Sequence, residues 1–192
     1  MDVSTLYTVT EELAAYLSEV THADLKCATP VPGRDIGDLY VHLIDQNNAV
    51  ARALANETGG QRDSISRATL DASVNLYGGG FEGLYRRTAQ DMRAAFASLR
   101  PAGQRYSFNG AEVDAETLYE GQIRDAVLHT WDLAHALELP YRPHSELALR
   151  VLHHLPEPSA GNGNTAWEGV LGLSGRIEST PRWGGTRCEE MM

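Results

Sequence analysis

Apolar side chains at Leu6, Val9, Leu13, Leu17 and Val20 recur at steps of three and four residues, the spacing of one helical face. Ser4, just ahead of them, is a candidate cap. Thr29-Pro30-Val31-Pro32-Gly33 breaks this first pattern. A second begins at Asp35 and Asp38, a cap with an acidic first turn, and carries Ile36, Leu39, Leu43, Val50 and Leu54 as its buried stripe before ending near Gly59-Gly60. The third is written by Phe81, Leu84, Tyr85, Thr88, Met92, Ala95, Phe96 and Leu99 and closed by Pro101. Gly78-Gly79-Gly80 precedes it. Each glycine costs a helix about 1 kcal/mol relative to Ala, so residues 71–77 are expected to form a separate turn.

Tyr106-Ser107-Phe108, Asn109-Gly110 and Ala111-Glu112-Val113 predict a small hairpin with a type I′ turn, a minor decoration on the helices. Asp114 caps a fourth long helix that runs to about Leu139, where Pro140 stops it. Its core face is Leu118, Ile123, Ala126, Val127, Thr130, Ala134 and Leu137. Gln122, Asp125, His129 and Asp132 form a polar stripe along one flank, the pattern of a helix that borders a cleft. Residues 144–154 and 165–178 predict two shorter helices separated by the Gly-, Pro- and Asn-rich segment 156–164. With neither βαβ alternation nor an internal repeat, the prediction is an all-α chain: a mostly antiparallel bundle of four long helices, short C-terminal helices, and the hairpin before the fourth long helix. One bundle domain is expected over 1–183, with 184–192 as a C-terminal tail.

Composition narrows the partners. Forty-two per cent hydrophobic and 22% charged residues is ordinary globular composition and excludes a disordered or fibrous chain. A net charge of −10 without a basic block excludes a phosphate-backbone partner, so no nucleic acid is expected. No window approaches the roughly 20 apolar residues of a membrane span, and the N-terminus lacks a signal-peptide layout, which predicts a cytoplasmic protein without a membrane partner. Cys27 and Cys188 are too few and too far apart for a disulfide framework and read as free thiols in a reducing compartment. Nothing near Cys27 in the sequence would lower its pKa to make it a nucleophile.

Chemistry concentrates at Asp125 and His129, four residues apart on one helical face. Such a pair can hold a metal if a third ligand arrives from a neighbouring helix, and His42 on the second helix is the candidate. A simpler reading makes Asp125 and His129 a hydrogen-bonded pair and His42 a satisfied core histidine, and spacing alone favours it. Asp132 is placed to accept a proton from a His129 ring nitrogen and Asp38 to do so for His42; a solvated acid is the alternative for each. His135 points to another side of the helix, His22 lies in a loop, and His144, His153 and His154 read as surface residues. Arg34, Arg124 and Arg176 read as surface charges, with capture of a substrate carboxylate as the alternative. No GxSxG elbow or P-loop is present: Gly172-Leu173-Ser174-Gly175 has the wrong spacing and Gly78-Gly79-Gly80 lacks a lysine.

Three segments carry a family resemblance. Thr29-Pro30-Val31-Pro32-Gly33-Arg34-Asp35-Ile36-Gly37-Asp38-Leu39-Tyr40-Val41-His42-Leu43 resembles the "TPCPGWTVRDLLAHL" motif of the actinobacterial DinB-like proteins called the mycothiol-dependent maleylpyruvate isomerase family. Asp125-Ala126-Val127-Leu128-His129-Thr130-Trp131-Asp132-Leu133-Ala134 is similar to its "DLLVHGWDLA" segment, and Leu171-Gly172-Leu173-Ser174-Gly175-Arg176 with Trp183 to its closing "LLALLGRDPxW". Among the departures are Val31 for Cys, Arg34 for Trp, and Asp125 where the isomerase itself carries Glu.

The resemblance implies a DinB-type four-helix bundle with a divalent metal, Zn2+ first and Ni2+ second, held by His42, Asp125 and His129, and it reverses the preference that spacing alone gives. It also implies mycothiol as cosubstrate, a small electrophile as substrate, and a homodimer as an assembly common among such bundles. The expected function is a metal-dependent transferase or isomerase: the thiol is activated for S-transfer or for thiol-assisted cis–trans isomerisation, with specialised metabolism as one setting. The alternatives are a metal-dependent hydrolase using activated water and a non-catalytic small-molecule-binding bundle. The chain is too short for the further C-terminal domain of the isomerase itself. The pocket walls are expected from the first helix, Gly78–Gly80 and the 156–164 segment.

Overall fold

The structure is a computed structural model, and it describes residues 2–56, 64–73, 81–99, 103–155 and 166–176. Four long helices form the bundle: α1 (Ser4–Ser18), α2 (Ile36–Ala55), α4 (Glu82–Ser98) and α5 (Ala115–Ala136). A short α3 (Arg67–Ala72) lies against α2, the hairpin of β1 (Arg105–Phe108) and β2 (Ala111–Asp114) precedes α5, and α6 (Ser145–His153) and α7 (Ala166–Leu173) complete the described chain. α2 packs on α4 and α1 on α5, and α1–α4 and α2–α5 contacts close the ring. The chain is therefore an all-α bundle with one two-stranded hairpin. None of its described helices is long and apolar enough to cross a membrane. The 184–192 tail, Gly59-Gly60, Gly78–Gly80 and the 156–164 segment lie outside the described residues.

The predicted stripes are the buried ones. Leu6, Val9, Leu13 and Leu17 of α1 and Ile36, Leu39, Leu43, Val50 and Leu54 of α2 are all buried. Ser4 is not the cap of α1, because it already lies in the first turn. Asp2 does that work instead, accepting from the Ser4 backbone N–H at 2.9 Å and from its hydroxyl at 3.1 Å. α2 begins as expected in a reciprocal capping box: the Asp38 N–H donates to Asp35 Oδ1 at 2.8 Å, and the Asp35 N–H donates to Asp38 Oδ2. It ends earlier than expected, at Asn56, whose left-handed conformation closes the helix.

α3 has no counterpart in the sequence reading. With six residues and Leu70 as its only buried side chain, it has too little periodicity to be visible. It is fastened from outside: Arg67 bonds Asp35, Asp38 at 2.8 Å and Asp71 at 2.9 Å. The hairpin has the predicted turn, Asn109 and Gly110 both at positive φ. It is more than a decoration, since Tyr106 is 2% exposed and joins the core beside α2. Asp114 caps α5 by accepting from the Thr117 N–H at 2.7 Å. That helix stops at Ala136 rather than Leu139, the chain turning through Glu138 at positive φ before Pro140.

Two apolar clusters share the bundle. Leu6, Val9, Val50, Met92, Phe96, Ile123 and Val127 belong to one, and Leu13, Leu17, Leu43, Ile44, Tyr85, Leu133 and Leu137 to the other. On α1, α2 and α5, buried polar residues stand where membership passes between clusters, Thr10, Asn47 and Asn48, and Thr130 and Asp132, and on α4 Thr88 lies one residue before the change between Ala89 and Met92. Burying such groups is costly unless they find partners. The Asn47 amide donates to Thr88 Oγ1 at 3.1 Å, and the Thr130 hydroxyl to the Ala126 carbonyl at 2.7 Å. This polar belt is where the bundle opens.

Candidate metal and thiol site

A small cleft opens at the belt, walled by all four long helices. Thr10, Gln46, Asn47, Gln122, Asp125 and His129 give it its polar wall, and Leu13, Leu43, Tyr85 and Met92 its apolar one. The expected contribution of α1 is there; the rest comes from α2, α4 and α5. The polar stripe of α5 divides in two, Gln122, Asp125 and His129 lining the cleft while Asp132, fully buried, lies behind His129.

His42 of α2 meets His129 of α5 edge to face, their ring centroids 5.2 Å apart. Burial, the neighbouring His129 and the positive Arg34 together hold the His42 imidazole below its ordinary pKa, against the opposing pull of Asp125 and Asp45. His42 is thus kept in the neutral form that a metal ligand requires. His129 Nδ1 lies 3.1 Å from Asp132 Oδ2. This is the partnership that spacing suggested, and burial removes the alternative of a solvated acid at 132. Burial by itself would raise the Asp132 pKa, but the Arg176 guanidinium and His129 hold it below the usual carboxylate range.

Asp125 has other company. Its Oδ2 accepts from the Gln46 amide at 3.0 Å, and its Oδ1 accepts from Arg124 Nε at 3.0 Å and Nη2 at 2.9 Å. Asp125 and His129 therefore share a cleft wall without forming the hydrogen-bonded pair of the simpler reading. Two imidazoles in contact, with a carboxylate on the cleft wall that His129 lines, are a donor set that suits zinc or nickel. Among the described residues, however, no group of three or more His, Cys, Asp or Glu side chains is drawn close enough to hold an ion. Asp125 would join the histidines by releasing Gln46 and Arg124.

Other expectations are corrected. Asp38 does not support His42, because its carboxylate is taken by Arg67 and by the capping box of α2. Arg176 is no surface charge: its side chain is 11% exposed and its Nε and Nη2 reach the two Asp132 oxygens at 2.7 and 2.6 Å. Arg124 keeps a side chain 32% exposed and is bound to Asp125 at 2.9 Å. His135 stacks on Trp131, ring centroids 5.0 Å apart, away from the cleft as expected. The sequence reading also passed over Gln46, whose place on α2, four residues beyond His42, was the available signal.

Searches of curated proteins and of solved structures give no match to this chain. Among protein families, the model described as the mycothiol maleylpyruvate isomerase N-terminal domain matches residues 6–134, a span that takes in α2 and α4 whole, all but the first two residues of α1 and the last two of α5, and His42, Asp125, His129 and Asp132. The chain belongs to the mycothiol maleylpyruvate isomerase N-terminal domain family.

Proposed function

We propose that this protein is a metal-dependent enzyme that activates mycothiol toward a small electrophile, either transferring the sulfur or assisting cis–trans isomerisation. The observation that carries the reading is the His42–His129 contact at 5.2 Å beside a cleft that reaches the bundle interior. Family membership supports the choice of thiol and of reaction class.

His42, Asp125 and His129 are the residues that would hold the metal. A divalent ion bound there supplies a Lewis acid that keeps a thiol sulfur ionised near neutral pH. The chain does the remainder. Asp132 fixes the His129 ring through Nδ1 and leaves Nε2 for the ligand role. Burial keeps His42 unprotonated. Gln46, Asn47 and Gln122 present amides that can orient a polar substrate, while Leu13, Leu43 and Met92 exclude water from the reacting end. In isomerisation the thiolate forms an S–C bond to a conjugated double bond, whose electron pair moves to the conjugated carbonyl oxygen. Rotation about the former double bond and loss of the thiolate then give the trans product. In S-transfer the thiolate displaces a leaving group, which departs with the electron pair of its bond to carbon.

The test is turnover of cis-unsaturated acids and of alkyl halides by zinc-loaded protein, with and without mycothiol. Product formation that requires the thiol is expected. Turnover that ignores the thiol would replace the proposal with a hydrolase. The engagement of Asp125 by Gln46 and Arg124 favours one further reading, a non-catalytic small-molecule-binding bundle. Absence of turnover with every thiol and electrophile, in protein that still binds small polar molecules in the cleft, would establish that alternative.

A further inference from the structure

Arg176 lies beyond residues 6–134, after α6 and α7 in the chain, yet it grips the carboxylate that touches His129. The local sequence explains how it gets there. α7 ends at Leu173, and Gly175 adopts a positive φ of 74°. The Gly175 N–H then donates to the Gly172 carbonyl at 3.2 Å and the Arg176 N–H to the Leu171 carbonyl at 2.8 Å. These two bonds are the paired closures of a Schellman motif, with glycine in the left-handed position. The motif reverses the chain and sends Arg176 back toward α5. Its guanidinium delivers a two-pronged bond to Asp132, the geometry in which arginine surpasses lysine.

A carboxylate that is fully buried and bonded to arginine at both oxygens is ionised and can only accept. The His129 Nδ1 facing it must therefore carry the proton, which leaves Nε2 as the lone-pair nitrogen. We propose that Arg176 is a positioning residue of the site: through Asp132 it sets the tautomer and ring orientation of His129, so that the segment following α7 completes a centre otherwise built by the family domain. The metal role of His129 rests on the function proposed above; the tautomer does not.

The experiment is nitrogen-15 NMR of histidine-labelled, metal-free protein at about pH 8, where ordinary imidazoles are neutral. The His129 resonances are identified by their loss in His129→Gln. The wild type should show a protonated Nδ1 and a bare Nε2. Arg176→Gln should move His129 toward a mixture of tautomers, and Arg176→Lys should move it less, since charge is kept and the fork is lost. If Arg176→Gln fails to fold, Arg176→Lys decides. A protonated Nε2 in the wild type, or a His129 tautomer unchanged in folded variants, would overturn the proposal. Zinc affinity provides a second readout, expected to fall about 10- to 100-fold in the folded variants, as for other groups that orient a metal-bound histidine. Wild-type protein that binds no zinc but shows the tautomer shift would refute the metal reading and leave Arg176 in its role.

Discussion

His42 and His129, 87 residues apart in the sequence, stand edge to face with ring centroids 5.2 Å apart, and they are the one place where α2 and α5 bring imidazole to imidazole. Asp125 shares the cleft wall with His129 and is held by Gln46 and Arg124. If Asp125 is a ligand, removing it and removing its partner should differ. Asp125→Ala should weaken zinc binding by about tenfold or more, while Gln46→Ala should leave it nearly unchanged or improve it. Competition titrations against a chelator measure both; equal losses in the two variants would show that Asp125 acts only as a structural group.

Gly37 and Arg67 form a second dependent pair. A Cβ at Gly37 would sit 2.8 Å from Arg67 Cζ, so the guanidinium occupies the space that glycine leaves. Arg67 reaches Asp35, Asp38 and Asp71 from there. Gly37→Ala should therefore be near neutral or destabilising by about 1 kcal/mol, as the helix-propensity gain is offset by displaced ion pairs. In an Arg67→Ala background the same change should become stabilising by up to about 1 kcal/mol. Urea unfolding of the two single variants and the double variant checks this; strictly additive effects would contradict it.

Glu120 and Arg150 fasten α6 to α5, with Arg150 Nε and Nη2 at 2.9 and 2.6 Å from the Glu120 carboxylate. The Arg150 hydrogen bonds, opposed by partial burial, hold the Glu120 pKa below its ordinary value. A carboxylate lowered in this way contributes stability that is present above the unfolded-state pKa and disappears as pH falls through the folded-state value. Glu120→Gln should accordingly cost about 1 kcal/mol at neutral pH. The difference from wild type should vanish at acid pH below the ordinary glutamate range. Unfolding curves at several pH values measure it, and a difference that grows on acidification would contradict the assignment.

Much of this fold was legible because its signals are local and periodic. The stripes of α1, α2, α4 and α5, the Asp35 and Asp114 caps and the Asn109-Gly110 turn each lie within a few residues of sequence. Spacing and family resemblance named His42, Asp125 and His129 as candidates, and of these His42 and His129 meet across the bundle. What sequence could not supply is pairing across the bundle. Asp38 faces Arg67 rather than His42, Gln46 reaches Asp125 from another helix, and Arg176 finds Asp132 only because a Schellman turn after α7 redirects the chain. Those partners depend on how helices pack, and no local pattern records it.

The most direct measurement is metal content by inductively coupled plasma mass spectrometry on untagged protein after reconstitution, beside His42→Ala and His129→Ala. Near-stoichiometric zinc or nickel in the wild type, lost in both variants while their helical content is retained, is the predicted result. Metal absent from the wild type, or retained undiminished in both variants, would contradict a metal centre at His42 and His129.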